Sequence, residues 1–353
     1  PAPVKKINRR VSLADCFAAP CRDGCPIGQD IPAYLRLAGE GRYPEALEVI
    51  TQRNPLPFTT GSICPEFCRE RCNRLYYDEA VDIRSVKLEC AEKAFDELIS
   101  SIEPPEKTGK KVAVVGSGPA GLASAFLLAR SGCDVTVFEK ANALGGMPKH
   151  VIPEFRLSGA ALERDIELCR AAGVKFLLGH YVRSVDELKS MGFEAVVLCP
   201  GAMKPASLRL KYGGSINALE FLKSFKAMPG GLRIGKNVAV VGGGNTAVDA
   251  ARAALRVPGV ESVFLVYRRT RRYMPAFREE LEQALNEGVK LYELLSPVGV
   301  RDGVLECRKT VLGEPDADGR LRPVETAETV KIPADTVIAA VGERIDSDFF
   351  ASN

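Results

Sequence analysis

Six cysteines and two glycine-rich turns carry the chemistry legible in this sequence. Cys16, Cys21 and Cys25 fall at C-x4-C-x3-C spacing, with Pro26 after the last. Cys64, Cys68 and Cys72 follow with three residues between neighbours. Thiolates hold iron–sulfur clusters, and a Cys-Pro step closing a short cysteine run is a feature of cluster-binding segments. Zinc is the competing metal, but its structural sites favour tight C-x2-C pairs, and the sequence has none. Free structural thiols are the third reading.

The first glycine turn is Gly116-Ser117-Gly118-Pro119-Ala120-Gly121. Ahead of it an apolar run over 112–115 predicts a strand. Behind it come a helical pattern to about 130, a second strand over 134–138, and Glu139. This is the dinucleotide fingerprint in its required context. Gly116 permits the tight turn, Gly118 lets backbone approach a pyrophosphate, and Gly121 lets helix and strand pack closely. The helix N-terminus offers N–H groups to phosphate, and Glu139 can bind a ribose hydroxyl. Gly145-Gly146 continues this side of the site. A plain βαβ unit with a glycine-rich turn is the alternative.

The pattern repeats. A strand over 237–241 meets Gly242-Gly243-Gly244-Asn245-Thr246, then a helix over 247–255 and a strand over 262–267. That strand ends in Arg268-Arg269 rather than an acid. A carboxylate there would repel a 2′-phosphate, whereas guanidinium groups pair with one bidentately. The second site is therefore expected to prefer NADPH, unless these arginines only form a solvated face. Two fingerprints of opposite ribose chemistry imply two dinucleotides, most economically FAD at the first and NADPH at the second. Hydride would then pass from nicotinamide to flavin, with the cofactors carrying the chemistry and the protein positioning them. No Ser/His/Asp or Cys/His set is needed, so no catalytic side chain is assigned. Absence of a C-x2-C or C-x4-C pair after the first turn argues against a disulfide reductase and sends electrons toward the N-terminal cysteines.

The elements that position these residues divide the chain. Residues 1–102 are expected to form an α-helical Fe–S domain, with helices over 31–37, 44–52 and 83–99. A Pro- and charge-rich linker spans 103–111. The first part of an FAD-binding domain covers 112–202, with a helix over 160–172 and a strand over 195–199. An NADPH-binding domain covers 203–341, with a helix over 276–286 and an exposed hairpin tip over 313–325. Residues 342–353 begin a return to the FAD domain. The expected fold class is α/β: a helical cluster domain followed by two nested Rossmann-like nucleotide-binding domains.

Composition narrows the rest. At 353 residues the chain is long enough for two or three domains. Its net charge of +3 comes from interspersed residues, and no Lys/Arg block suggests nucleic acid. No apolar run is long enough to insert in a membrane, and no signal pattern is visible. Eleven cysteines in such a chain suggest metal ligands in a reducing, cytoplasmic compartment rather than disulfides. His150 and His180 are the only histidines, too few for a His-based metal site.

Taken together, the cysteine-rich segment, VAVVGSGPAGLASA, PEFRL, GGGNTAVDAARAALR, VYRR and MPA resemble the glutamate synthase small-subunit family. The same unit looks like the N-terminal half of dihydropyrimidine dehydrogenase. Finer stretches, ARAALRVPGVE, LGEPDADGRLRPVET and AAVGE, are most similar to proteins described as selenate reductase Fe–S subunits. The resemblance covers essentially the whole chain and implies FAD, NADPH and up to two 4Fe–4S clusters. It implies Cys16, Cys21 and Cys72 as ligands of one cluster, and Cys25, Cys64 and Cys68 as ligands of the other. Gly116, Gly118, Ala120, Gly121, Glu139, Gly146 and Arg156 fall at FAD-side positions. Gly242, Gly244, Asn245, Thr246, Arg268 and Arg269 fall at NADPH-side positions. The chain departs from the family in three places. Leu13 stands where relatives have a further cysteine, which leaves Asp15 or water to complete that cluster. Lys87 stands near a Gln or Glu ligand of the other, with Glu89 and Cys90 close by on the same helix. The segment that closes the FAD domain is absent, so the chain is expected to be a fragment. The implied function is electron transfer from NADPH through FAD to the clusters and on to a downstream acceptor domain or subunit. A glutamate synthase small subunit, a redox-inactive scaffold, and a zinc-bearing flavin oxidoreductase are the alternatives.

Overall fold

The computed structural model describes residues 19–345 apart from 104, 229 and 318, together with Ser347. The chain forms two compact units. The first holds the described residues up to 149 and 154–201, and the second holds 150–153 and 202–347.

The first unit opens with five helices: α1 (Pro20–Gly24), α2 (Ile31–Gly39), α3 (Tyr43–Thr51), α4 (Pro57–Ile63) and α5 (Ile83–Ser101). Side-chain caps start two of them. Asp30 accepts from Ala33 N, and Asp82 from Ser85 N. Proline occupies the first turn of α1 to α4, where no N–H is needed. Then come β1 (Lys111–Val115), α6 (Pro119–Arg130), β2 (Asp134–Glu139), α7 (Met147–His150), α8 (Gly159–Ala171), β3 (Lys175–Leu178), α9 (Val185–Ser190) and β4 (Ala195–Leu198). The four strands form a parallel sheet in the order β3-β2-β1-β4. Strand order reverses beside β1, so a crevice opens at its C-terminal end, where the first glycine turn begins.

The helical segment and this sheet share one core. Tyr34, Leu47, Ile50, Phe58, Cys90 and Phe95 belong to the same buried cluster as Val114, Leu122, Phe126, Val137 and Ile166. A buried carboxylate ties the two layers. Asp165 on α8 is 0% exposed and accepts from Phe58 N at 3.0 Å and Thr59 N at 2.7 Å. These N–H groups are unpaired donors of the first turn of α4, so Asp165 satisfies them from a distant element. Burial raises its pKa to about 7 against the pull of Thr59, Phe58 and Lys87. The folded chain therefore holds this proton up to about pH 7, whereas an unfolded Asp releases it near about pH 4. Its contribution to stability is fullest below about pH 4 and is lost as pH rises to about 7. Denaturant unfolding at pH 5 and pH 8 is expected to show lower stability at pH 8. Asp165→Ala should flatten that difference, at a cost of about 1–3 kcal/mol for each buried N–H left unpaired. A pH difference that survives the substitution would assign the effect to another group.

The second unit repeats the sheet. Its elements are β5 (Lys204–Pro205), β6 (Ile216–Asn217), α10 (Ala218–Ala227), β7 (Asn237–Val241), α11 (Asn245–Leu255), β8 (Ser262–Val266), α12 (Arg278–Asn286), β9 (Lys290–Tyr292), β10 (Leu295–Arg301), β11 (Val304–Pro315), β12 (Leu321–Pro333), β13 (Thr336–Ala339) and β14 (Glu343–Arg344). A five-stranded parallel sheet runs β6-β13-β7-β8-β9. The central strands β7, β8 and β13 are buried almost throughout, as a parallel sheet covered on both faces requires. Strands β10, β11 and β12 form a separate antiparallel sheet, in which β11 and β12 make a long hairpin. The α/β class and the doubled nucleotide-binding architecture are as the sequence implied.

Candidate functional site

At the end of β1 the backbone is held open by contacts that only glycine permits. Gly116 turns the chain at φ +99°, and a Cβ there would lie 2.2 Å from the Cys199 carbonyl oxygen. A Cβ on Gly121 would lie 1.9 Å from the Gly116 carbonyl oxygen, so α6 packs on the turn at backbone distance. A Cβ on Gly146 would meet Gly118 Cα at 2.8 Å. Gly118 itself differs, because nothing lies within 4 Å of where its Cβ would stand. The space beside Gly118 and the exposed first turn of α6, where Ala120 sits, is the opening a pyrophosphate needs. Glu139 ends β2 and is 8% exposed. Its Oε2 accepts from Ser117 N at 2.9 Å and Ser117 Oγ at 2.6 Å, and its Oε1 accepts from Ala141 N at 2.8 Å. Three donors thus fix the carboxylate at the strand end. Arg156 is half-buried in the loop before α8. Ser117 was passed over in the sequence, although its place between the two glycines could have marked it.

The second turn opens into a cleft of about 680 Å3 at the C-terminal ends of β7, β8 and β13. Gly242, Gly244, Thr246, Arg268 and Arg269 all line it. A Cβ on Gly242 would be 2.3 Å from the Ala340 carbonyl oxygen, whereas Gly244 has nothing nearer than Pro275 Cγ at 4.0 Å. Asn245 starts α11, and its Oδ1 accepts from Phe277 N at 2.9 Å. The two arginines differ. Arg268 is exposed, whereas Arg269 is 6% exposed. Arg269 donates from Nε to the Leu321 carbonyl oxygen at 2.7 Å and from Nη2 to Asp316 Oδ2 at 3.0 Å. Arg209, Arg320 and Arg344 also line the cleft. The sequence did not single these out, because they come from segments remote from the glycine turn.

Five of the six predicted cluster cysteines are placed, and Cys16 lies outside the described residues, as do Leu13 and Asp15. Cys21 is on α1 and Cys25 caps its C-terminal end, whereas Cys64 caps α4. Cys68 and Cys72 flank a short 3-10 turn, Arg69–Arg71. A Cβ on Gly24 would stand 3.2 Å from Cys68 Cα, so α1 lies directly on this loop. Burial pushes the Cys68 thiol up to about 12, with Cys64 and Cys25 adding to the effect. Burial also raises Cys21, with Cys72 and Cys25 as neighbouring thiols. Cys68 therefore has Cys25 and Cys64 as charge neighbours, and Cys21 has Cys72 and Cys25. Lys87, only 3% exposed, lies beside the first group. Burial lowers its pKa, while Cys64, Cys68, Cys25 and Glu66 act in the opposite sense. Cys90 is fully buried in the core, and Glu89 is bonded to Tyr43 and Lys93.

The donor chemistry fits iron–sulfur clusters, whose ligands are cysteine thiolates, and the five placed candidates are all cysteines. The open backbone at Gly118 and Gly244, each preceding a helix, likewise suits dinucleotide phosphates.

A glycine cradle at the parallel-strand ends of each unit, and a cysteine-rich helical segment in the first, are the features of a chain that binds dinucleotides and iron–sulfur clusters. The chain belongs to the pyridine nucleotide-disulphide oxidoreductase family, which residues 110–353 match. Residues 6–98 match dihydropyrimidine dehydrogenase domain II, a 4Fe–4S cluster domain. YgfK of Escherichia coli K12 is 46% identical over 350 residues, covering 97% of this chain and 34% of that protein. The NADPH-Fe(3+) oxidoreductase subunit beta of Geobacter sulfurreducens is 38% identical over 361 residues, covering 96% of this chain and 53% of that subunit. The glutamate synthase [NADPH] small chain of E. coli K12 is 35% identical, covering 92% of this chain and 74% of that one. The chain thus spans a third to a half of the first two. Histamine dehydrogenase from Rhizobium sp. 4-9 shares the fold, with a TM-score of 0.56, 18% identity and coverage of 95% of this chain and 48% of that one. Among the described residues no helix is long and apolar enough to cross a membrane.

Proposed function

We propose that this chain is the electron-input module of an NADPH-dependent iron–sulfur flavoprotein. Reducing equivalents enter at the arginine-lined cleft, pass to FAD at the first glycine turn, and leave through the cysteine-rich segment to a downstream domain or subunit. The observation that carries this reading is the contrast between the two strand ends. One presents the fixed carboxylate of Glu139, and the other presents the exposed guanidinium of Arg268. When bound, the nicotinamide and flavin supply two-electron hydride chemistry, and the clusters supply one-electron transfer.

The chain's own residues position these groups. Gly118 and the first turn of α6 would receive the FAD pyrophosphate, with Glu139 toward its ribose and Gly146 and Arg156 closing the side. Gly244, Asn245 and Thr246 would receive the NADPH pyrophosphate on the N-terminus of α11. Cys21 and Cys72 with Cys16 would hold one cluster, and Cys25, Cys64 and Cys68 the other. On this assignment the clusters belong to 1–102, FAD to 112–202 with a return after 342, and NADPH to 203–341. The likeness of its finer stretches to selenate reductase Fe–S subunits makes such a reductase one setting for the module.

The test is anaerobic purification of the full-length protein, with iron, sulfide, zinc and flavin quantified together. Roughly eight iron and eight sulfide with one FAD are expected for two four-iron clusters, along with dye reduction by NADPH. Stoichiometric zinc, or flavin without iron, would leave a simpler flavin enzyme. A second expectation concerns the nicotinamide site. Arg268→Ala should weaken NADPH about 10- to 100-fold, the range for one lost charge-assisted contact, and NADH hardly at all. Equal losses for both nucleotides would remove Arg268 from the phosphate site.

A further inference from the structure

The β11–β12 hairpin is fastened to the end of β8 through both arginines. Thr310 Oγ1 donates to the Arg268 carbonyl oxygen at 2.8 Å. The Arg269 fork grips the tip from beneath, at Asp316 Oδ2 and at the Leu321 carbonyl oxygen, with its side chain 7% exposed. Arg320 lies between those two anchor points in the sequence. The turn around it is closed by Asp316 N donating to the Arg320 carbonyl oxygen at 2.7 Å, and by Arg320 N donating to Asp316 Oδ1 at 2.9 Å. The Arg320 side chain, with Nε 3.9 Å from Asp316 Oδ2, is 42% exposed and lines the same cleft as Arg268.

We infer that Arg320, carried in by the hairpin tip, is the second determinant of 2′-phosphate selectivity beside Arg268, and that Arg269 is the positioning residue that seats the tip. This inference rests on the NADPH reading of the cleft. Three observations support it. Arg269 is already engaged at two of its three nitrogens by protein oxygens, and it is buried under the turn. The ribose 2′ position is read at the end of the second strand of a dinucleotide unit, here β8, where Arg268 and the hairpin meet. The other cations of the cleft lie toward the opposite neighbour of β7. Arg344 follows β13 on β14, and the segment leading to Arg209 is bonded to the same edge, with Ala206 N donating to the Gly342 carbonyl oxygen at 2.9 Å. Glu325, the acid facing the cleft from β12, accepts from Ser296 Oγ at 2.8 Å.

The experiment is calorimetric titration of the purified full-length protein with 2′,5′-ADP and with 5′-AMP. The two probes differ only by the 2′-phosphate. Arg320→Ala is expected to weaken 2′,5′-ADP by about ten-fold or more while leaving 5′-AMP within about two-fold, as one lost charge-assisted contact implies. Arg320→Lys should recover part of the loss. Arg269→Lys separates seating from contact. Lysine keeps the charge but cannot make the two-pronged grip, so a positioning role predicts that it loses selectivity as fully as Arg269→Ala. Unchanged selectivity in Arg320→Ala would overturn the inference while leaving the cleft an NADPH site. Retained selectivity in Arg269→Lys would make Arg269 a direct phosphate contact and overturn its seating role. Wild-type protein that binds 2′,5′-ADP no more tightly than 5′-AMP would overturn the NADPH reading, and this inference with it.

Discussion

Gly121→Ala is expected to strip the protein of flavin and to lower its melting temperature in the same stroke. The new methyl carbon would sit 1.9 Å from the Gly116 carbonyl oxygen, and that atom belongs to backbone, not to a side chain that can swing away. Either α6 lifts off the turn or the turn deforms. Overpacking of this kind costs about 1–3 kcal/mol and sometimes more. Gly116→Ala should be at least as damaging, because φ +99° adds backbone strain to the clash with Cys199. Gly118→Ala supplies the contrast. Nothing lies within 4 Å of its added carbon, so folding should be unaffected while flavin affinity falls, the methyl group occupying the pyrophosphate's space. Thermal unfolding and flavin absorbance per chain separate the three. Full flavin retention in Gly118→Ala would move the pyrophosphate away from this turn.

Cys68→Ala is expected to abolish one cluster and leave the other. Iron and sulfide should fall by about four atoms each from roughly eight, the content of two four-iron clusters. Cys25→Ala and Cys64→Ala should behave alike, since these thiols lie within reach of Cys68. Cys307→Ala is the control. That thiol is fully buried in a core cluster of the second unit, where burial pushes it up to about 12, and that cluster contains none of the described candidate ligands. Iron unchanged in the Cys68 variant would remove this residue from the ligand set. Iron lost from the Cys307 variant would show that the assay reports unfolding.

Much of this was legible in the sequence because it is local. Glycine turns, flanking strands and helix periods are set by neighbours in the chain, so β1, α6, β2, β7, α11 and β8 all fall within a residue or two of expectation. What escaped depends on distant partners. Asn54-Pro55-Leu56-Pro57 reads as a breaker, yet Pro57 serves as the first turn of α4, whose unpaired N–H groups are met by Asp165 more than a hundred residues away. The stretch 313–325 reads as a solvated hairpin tip, and nothing near it announces that Asp316 will bind Arg269. The resemblance marks Lys87 as a departure, but its burial escaped, because its charged neighbours come from two other segments, at Cys25 and over 64–68.

The common core of the cysteine-rich helices and the first nucleotide sheet bears on how the molecule comes apart. Phe58, Phe95 and Cys90 pack in the same cluster as Leu122 and Val137, so the helices are not a bead that can be cut from a string. Heating should melt helices and sheet in a single cooperative step. A gene trimmed to start at the first glycine strand would expose the inner face of α8, with Asp165 stripped of its partners, and should yield aggregate rather than a smaller flavoprotein.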